Sequence, residues 1–166
     1  MDNEQKTLII VRHGKSSWDY QEVSDADRPL KERGIKNAYE MANRLKGKGI
    51  IPELLYSSPA CRAIHTAIIF MHTLNIPEDK LLIKKDIYLA DTDDILRVIT
   101  QTDSDINSLM IFGHNPGFTD LVNFISDLAI QNVSTAGVVI LNFRAKKWEH
   151  LARSVFISGI YEFPGK

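Results

Sequence analysis

The chain has 166 residues, 44% hydrophobic and 25% charged, with 20 Lys and Arg against 21 Asp and Glu and a net charge of -1. A chain of this size buries about two thirds of its unfolded surface, and its single cysteine, Cys61, excludes an intramolecular disulfide framework or a cysteine-rich zinc site. The charge balance offers no basic stripe for nucleic acid, no run reaches the roughly 18 apolar residues of a membrane span, and no secretory apolar segment follows the polar Met1 to Lys6. The expectation is one cytoplasmic domain over residues 1–166, with neither nucleic acid nor membrane as a partner.

Leu8 to Val11 is a short apolar run without alternation, the pattern of a strand covered on both faces. It ends in Arg12-His13-Gly14-Lys15-Ser16, which shares Gly-Lys-Ser with a nucleotide-binding P-loop. That pattern needs a glycine five positions before Gly14, where Ile9 stands, so the nucleotide reading fails. The stretch Trp18 to Asp27 carries Asp19, Glu22, Asp25 and Asp27, and reads either as a screen against highly anionic small substrates or as a solvated loop. Ile35, Ala38, Ala42 and Leu45 then form a helical stripe.

A second strand, Leu54 to Tyr56, leads into Ser57-Ser58-Pro59-Ala60-Cys61-Arg62. Ser58 is expected to cap a helix, with Pro59 in the first turn and Arg62 beside free backbone N–H groups, where an anion is favoured. The stripe of that helix is read as Ala60, Ile64, Ala67, Ile68 and Met71. Cys61 is either an oxidation-sensitive thiol or a small packing residue, and His65 and His72 are surface residues too far apart to share a metal. Met41, Met71 and Met110 fall on core positions.

Leu81 to Ile83 is a third strand. Asp91 follows it, with Thr92 as the expected cap of a helix carrying Ile95, Val98 and Ile99. A fourth strand, Leu109 to Phe112, ends in Gly113-His114-Asn115-Pro116-Gly117, where Asn115 is the expected cap and Pro116 the first residue of a helix with Leu121, Val122, Ile125 and Leu128 inward. Val138 to Phe143 and Leu151 to Ile157 read as an antiparallel hairpin joined by a basic turn containing Trp148.

Strands alternating with helices predict an α/β domain: a three-layer αβα sandwich, its central sheet mostly parallel, with the C-terminal hairpin at one edge. In such sheets ligands bind at the carboxyl ends of the strands. Arg12, His13, Arg62 and His114 all fall there. Paired arginines recognise phosphate oxygens in a planar, bidentate manner, and a histidine attacks phosphorus or donates to an oxygen according to its protonation state.

With Val11-Arg12-His13-Gly14-Lys15-Ser16-Ser17-Trp18-Asp19, Asp27-Arg28-Pro29-Leu30 with Arg33-Gly34, Ser57-Ser58-Pro59-Ala60 with Arg62-Ala63 and Thr66-Ala67, and Gly113-His114-Asn115-Pro116, the chain resembles the histidine phosphatase superfamily, and its SixA-type phosphohistidine phosphatases in particular. The resemblance implies a phosphoglycerate mutase-like fold, catalysis without metal or cofactor, and a covalent phosphohistidine formed on His13. It also implies a phosphate pocket of Arg12, Arg62 and His114. His13 must then present a bare ring nitrogen, its other nitrogen donating to a carbonyl such as that of Gly14, while a protonated His114 would add a third positive donor.

Lys15 and Ser16 are candidate phosphate contacts or simply solvated loop residues. Many relatives have a glutamate near the third strand as leaving-group acid. This chain has none there, and Asp91 is a candidate by position only, with an acidic first turn shared with Asp93 and Asp94 as its other reading. The implied substrate is phosphohistidine on a protein, a phosphotransfer domain or phosphocarrier. A small phosphorylated metabolite is the alternative, and a non-catalytic phosphate-reading module the third reading.

Overall fold

In the computed structural model, which describes residues 4–165, one sheet is built from β1 (Gln5–Arg12), β2 (Leu54–Ser57), β3 (Leu81–Ile83), β4 (Ser108–Gly113), β5 (Val138–Arg144) and β6 (Phe156–Glu162). The order across it is β3-β2-β4-β1-β5-β6. β3, β2, β4 and β1 pair in parallel, whereas β5 and β6 run antiparallel at one edge. The helices are α1 (Glu32–Gly47), α2 (Cys61–Thr73), α3 (Thr92–Thr100) and α4 (Gly117–Ile125).

Successive side chains of a strand point to opposite faces, and β1 supplies two cores in this way. Ile9 and Val11 join Leu55, Met110 and Phe112 against the apolar faces of α1 and α2. Leu8 and Ile10 join Tyr56, Leu109 and Ile111 against α3 and α4. Both faces of the strand are covered, which is why its sequence is uniformly apolar. The result is the expected αβα sandwich.

Two expectations shift. β6 begins at Phe156, so Leu151 to Val155 belong to the connection. Trp148, in the connection between β5 and β6, is buried, and its Nε1 donates to the carbonyl of Ile106 at 2.8 Å. The indole and Leu151 are drawn into the core beside α3, which the β propensity of the segment cannot register.

The buried stripe of α2 is also rotated. Arg62, Ala63, Thr66, Ala67, Phe70 and Met71 face inward, while Ile64 and Ile68 are only half-buried. Hydrophobic periodicity assigns polar residues to the outer face, but Arg62 and Thr66 point inward to serve the loop after β1.

Strand register brings the chemistry together. Arg12 pairs with Gly113 and Ser57 with Phe112. The N–H of His13 donates to Gly113 and that of Ser58 to Phe112. His13, Ser58 and His114 therefore leave the sheet at one level. The start of α1 closes against this edge: a Cβ on Gly34 would lie 2.3 Å from the carbonyl oxygen of Lys15, and one on Gly14 would lie 2.7 Å from that of Gly34. Only glycine permits that backbone approach.

Candidate active site

His13 is buried, and its Nδ1 lies 2.7 Å from the carbonyl oxygen of Gly14. A carbonyl only accepts, so the proton sits on Nδ1 and Nε2 keeps its lone pair. The Gly14 peptide is itself held, its N–H donating to Thr66 Oγ1 at 3.0 Å while the Thr66 hydroxyl donates to the carbonyl of Arg62. Burial pushes the His13 pKa down to about 4, with the charges of Arg62, Arg12 and Arg28 acting in the same direction and the Gly14 bond opposing. The ring is neutral at physiological pH.

His114 stands 5.1 Å from His13, centroid to centroid, with Tyr88 on another side at 5.5 Å. Its Nε2 lies 2.7 Å from Ser58 Oγ. Burial, then His13 and Arg62, push its pKa down to about 3. Burial, His13 and the nearby arginines outweigh the opposing charge of Asp25, so the ring is held neutral and the condition for a third positive donor, a protonated His114, is not met in the resting protein. Ser58 departs from expectation. Its hydroxyl faces His114, and α2 is capped by Ala60 with no side-chain bond.

Three arginines surround the histidines. Arg12 donates from Nη1 to the carbonyl of Val133 at 2.9 Å. Arg62 uses both terminal nitrogens on Asp25, Nη1 to its carbonyl at 2.7 Å and Nη2 to Oδ2 at 3.0 Å. Arg28 donates to Ser16 Oγ at 2.9 Å and to Asp25 Oδ1 at 3.2 Å, and its guanidinium stacks 3.6 Å over the ring of Trp18. Asp25 thus anchors two arginines, and it also accepts from the hydroxyl of Tyr88. The Tyr88 bond first, then Arg62 and Arg28, hold its carboxyl down at about 2. Within the acidic loop Asp25 is exposed yet engaged, by two arginines and a tyrosine.

These groups line an open cleft of about 420 Å³, with Lys15, Ser16 and Lys31 at its wall and Trp18 and Leu89, each 72% exposed, beside it. No Asp or Glu is among the residues lining it. Among the described residues, four buried side-chain polar atoms lack a hydrogen-bond partner. Three of them, Arg12 Nε, Arg62 Nε and His114 Nδ1, belong to this cleft. Buried polar groups are nearly always paired, and here three unpaired ones fall on residues that line one cationic cleft. Among the described residues no group of three or more His, Cys, Asp or Glu could hold a metal ion.

The structure brings Arg12, His13, Arg62, His114, Lys15 and Ser16 together and leaves Asp91 out. Asp91 caps α3, accepting from the Asp94 N–H at 2.9 Å while Asp94 accepts from the Asp91 N–H at 3.2 Å. Thr92, the expected cap, is the first helical residue. At α4 the cap position falls on Pro116, although Asn115 Oδ1 still accepts from the N–H and hydroxyl of Thr119. Cys61 is exposed, which removes the packing alternative, and His65 and His72 are exposed as expected. Sequence reasoning missed the roles of Asp25, Arg28, Ser58, Thr66 and Tyr88. A buried arginine demands a carboxylate partner, but nothing in the sequence says which of four nearby acids supplies it.

Residues 8–85 match the family model of the histidine phosphatase superfamily, branch 1. Over those 78 of its 166 residues the chain is similar to the histidine phosphatase superfamily. The match includes Arg12, His13, Arg28, Ser58 and Arg62, while His114 lies beyond it. An uncharacterized chloroplastic protein of Arabidopsis thaliana is 28% identical over 87% of this chain and 69% of its own length. A 2,3-bisphosphoglycerate-dependent phosphoglycerate mutase of Bradyrhizobium diazoefficiens is 31% identical, but over only 47% of this chain and 40% of the mutase. Among solved structures, a proposed phosphohistidine phosphatase SixA from Agrobacterium tumefaciens superposes with a TM-score of 0.77 at 24% identity, covering 96% of this chain and 99% of that one. The protein histidine phosphatase SixA complexed with tungstate gives 0.76 at 22% identity, covering 95% and 94%. Superfamily and fold together support a phosphatase or mutase-like enzyme. No helix among the described residues is long and apolar enough to cross a membrane.

Proposed function

We propose that this chain is a metal-independent phosphatase that forms a covalent phosphohistidine on His13 and takes its phosphoryl group from a phosphohistidine carried by a protein, a phosphotransfer domain or phosphocarrier. The observation that carries the reading is the bare Nε2 of a neutral His13 in a cleft where three buried donors await an anion. In the proposed reaction the Nε2 lone pair attacks phosphorus, the new N–P bond forms, and the bond to the leaving nitrogen breaks with that nitrogen keeping the pair. Positive donors hold the equatorial oxygens, where the charge of a loose transition state lies. Water then attacks the phosphorus on His13 and gives its proton to solvent. Inorganic phosphate leaves and Nε2 recovers its lone pair.

The cleft favours a nitrogen leaving group. An alkoxide needs a proton, yet no carboxylic acid lines the cleft, and Asp25 next to it is held ionised. A phosphorylated imidazole protonated on its far nitrogen departs neutral and draws no proton from the enzyme. The openness of the site suits a protein. Trp18 and Leu89 expose apolar surface at the cleft, and Leu89 does so with a φ of 52°, a conformation that a leucine rarely adopts without a functional reason.

The test is a set of side-by-side rates, with chelator present, on a phosphohistidine-bearing protein and on a panel of phosphomonoesters, with His13→Ala as blank. Preference for the protein is expected. Efficient hydrolysis of one monoester would transfer the enzyme to metabolite chemistry, and no turnover of either would leave a phosphate-reading module.

A further inference from the structure

We infer that Ser58 is a positioning residue that fixes the tautomer of His114, keeping the proton on Nδ1 so that an uncharged imidazole donates to a phosphoryl oxygen. The inference rests on reading the cleft as a phosphoryl site. Its argument is a count of donors and acceptors around a side chain with no solvent exposure.

Ser58 is fixed on three sides. Its N–H donates to Phe112, its carbonyl accepts from Ser57 Oγ at 2.9 Å, and its own Oγ accepts from the Ala60 N–H at 3.2 Å. The hydroxyl hydrogen then has a single neighbour to receive it, His114 Nε2 at 2.7 Å. If Ser58 donates to Nε2, every polar atom of the pair is satisfied except Nδ1–H, the orphan donor of the cleft. In the other tautomer Nε2–H would donate to Ser58 Oγ. That oxygen would accept twice, its hydrogen would have no acceptor, and a bare Nδ1 lone pair would meet the phosphoryl oxygens. Two buried groups would go unsatisfied in place of one, and the one remaining in the first arrangement is the one a phosphoryl oxygen relieves.

The consequence is a division of labour. Arg12 and Arg62 supply charge, and His114 supplies direction without charge. A neutral ring 5.1 Å from His13 adds no further positive charge beside the nucleophile's lone pair. The hydroxyl of Ser58 accomplishes this from behind His114, at the end of β2, without touching the substrate.

Histidine 15N NMR on the resting protein reads the tautomer directly. The expected pattern is a pyrrole-type Nδ1 and a pyridine-type Nε2 for His114, with tungstate, used as an oxyanion probe, perturbing Nδ1 more than Nε2. Ser58→Ala should give a mixed His114 tautomer with His13 unchanged, and should weaken tungstate binding about tenfold, the scale of one net hydrogen bond. A wild-type His114 with its proton on Nε2 would overturn the inference, as would a Ser58→Ala protein whose His114 tautomer and tungstate affinity match the wild type. Both readouts come from protein that is not turning over. Failure to hydrolyse any phosphorylated substrate would therefore remove the phosphatase reading and leave the tautomer where NMR finds it.

Discussion

Strand β1 carries a cation at each end, and the two ends are built on opposite terms. At the amino end Lys6 is 1% exposed, yet its ammonium is used up: it donates to the carbonyl of Ser104 and to Asn107 Oδ1, both at 2.7 Å, and lies 5.8 Å over the Trp148 ring. At the carboxyl end Arg12 keeps a buried Nε with no partner, next to Arg62 and His114 in the same condition. A satisfied buried cation is part of the scaffold. An unsatisfied group of them is stable only because the rest of the fold holds it, and it gains when a ligand arrives. The two ends of one strand thus separate structure from function by hydrogen-bond accounting, with no appeal to residue type.

The comparison breaks first at the nucleophile. His13→Ala should cost at least about a thousandfold in kcat and abolish covalent labelling by a small phosphodonor, with the protein still folded. Labelling that survives in this variant would remove His13 from the role.

Acid is the next probe. Nucleophilic Nε2 must be unprotonated, so kcat/KM should hold down through the ordinary histidine range and fall only as pH drops through about 4; a loss centred near 6.5 would contradict the buried neutral ring. Stability carries the same sign. The unfolded imidazoles take up protons near 6.5, while His13 and His114 in the fold resist until about 4 and 3. Stability is full above that unfolded value and declines as pH falls below it, by an amount on the order of a few kcal/mol at pH 4. Urea midpoints at several pH values measure it.

Asp25→Asn sharpens the contrast on the functional side, because it removes the charge that aims Arg62 and Arg28 while leaving every cleft-lining residue in place. A fall in kcat/KM of ten- to about a hundredfold is expected, with a fold confirmed by circular dichroism. Trp18→Ala and Leu89→Ala should each raise KM for a phosphohistidine protein several-fold, of the order seen for rim contacts, and leave a small phosphoramidate unaffected. Equal effects on both substrates would deny these residues a docking role. The smallest catalytic effect belongs to the scaffold end: Lys6→Met should leave kcat unchanged and lower stability by about 1 to 3 kcal/mol, because Asn107 and the Ser104 carbonyl lose their donor.

Much of the site was legible because it is local. Arg12-His13-Gly14, Ser58 to Arg62 and Gly113-His114 each follow a strand, and parallel strands deliver their carboxyl ends to one edge. Even the Gly14 carbonyl as the acceptor for His13 is a contact between neighbours in sequence. What stayed hidden is long-range. Asp25 reaches Arg62 across 37 positions and Tyr88 across 63, while Ser58 meets His114 across 56. Ser58 and Asp91 also show that cap positions are hard to place from short segments, since the serine expected to cap faces a histidine and Asp91, read as an acid candidate or as part of an acidic first turn, is the cap in place of Thr92.

By itself the sequence determined the layered α/β class and the strand ends at which Arg12, His13, Arg62 and His114 gather, because periodicity and strand-end position are properties of short segments. Only the tertiary structure decided which carboxylate holds the arginines, that both histidines are neutral and which ring nitrogen of His114 is free. Burial and hydrogen-bond partnership come from atoms far apart in the chain, and the protonation state of a group is set by everything packed around it.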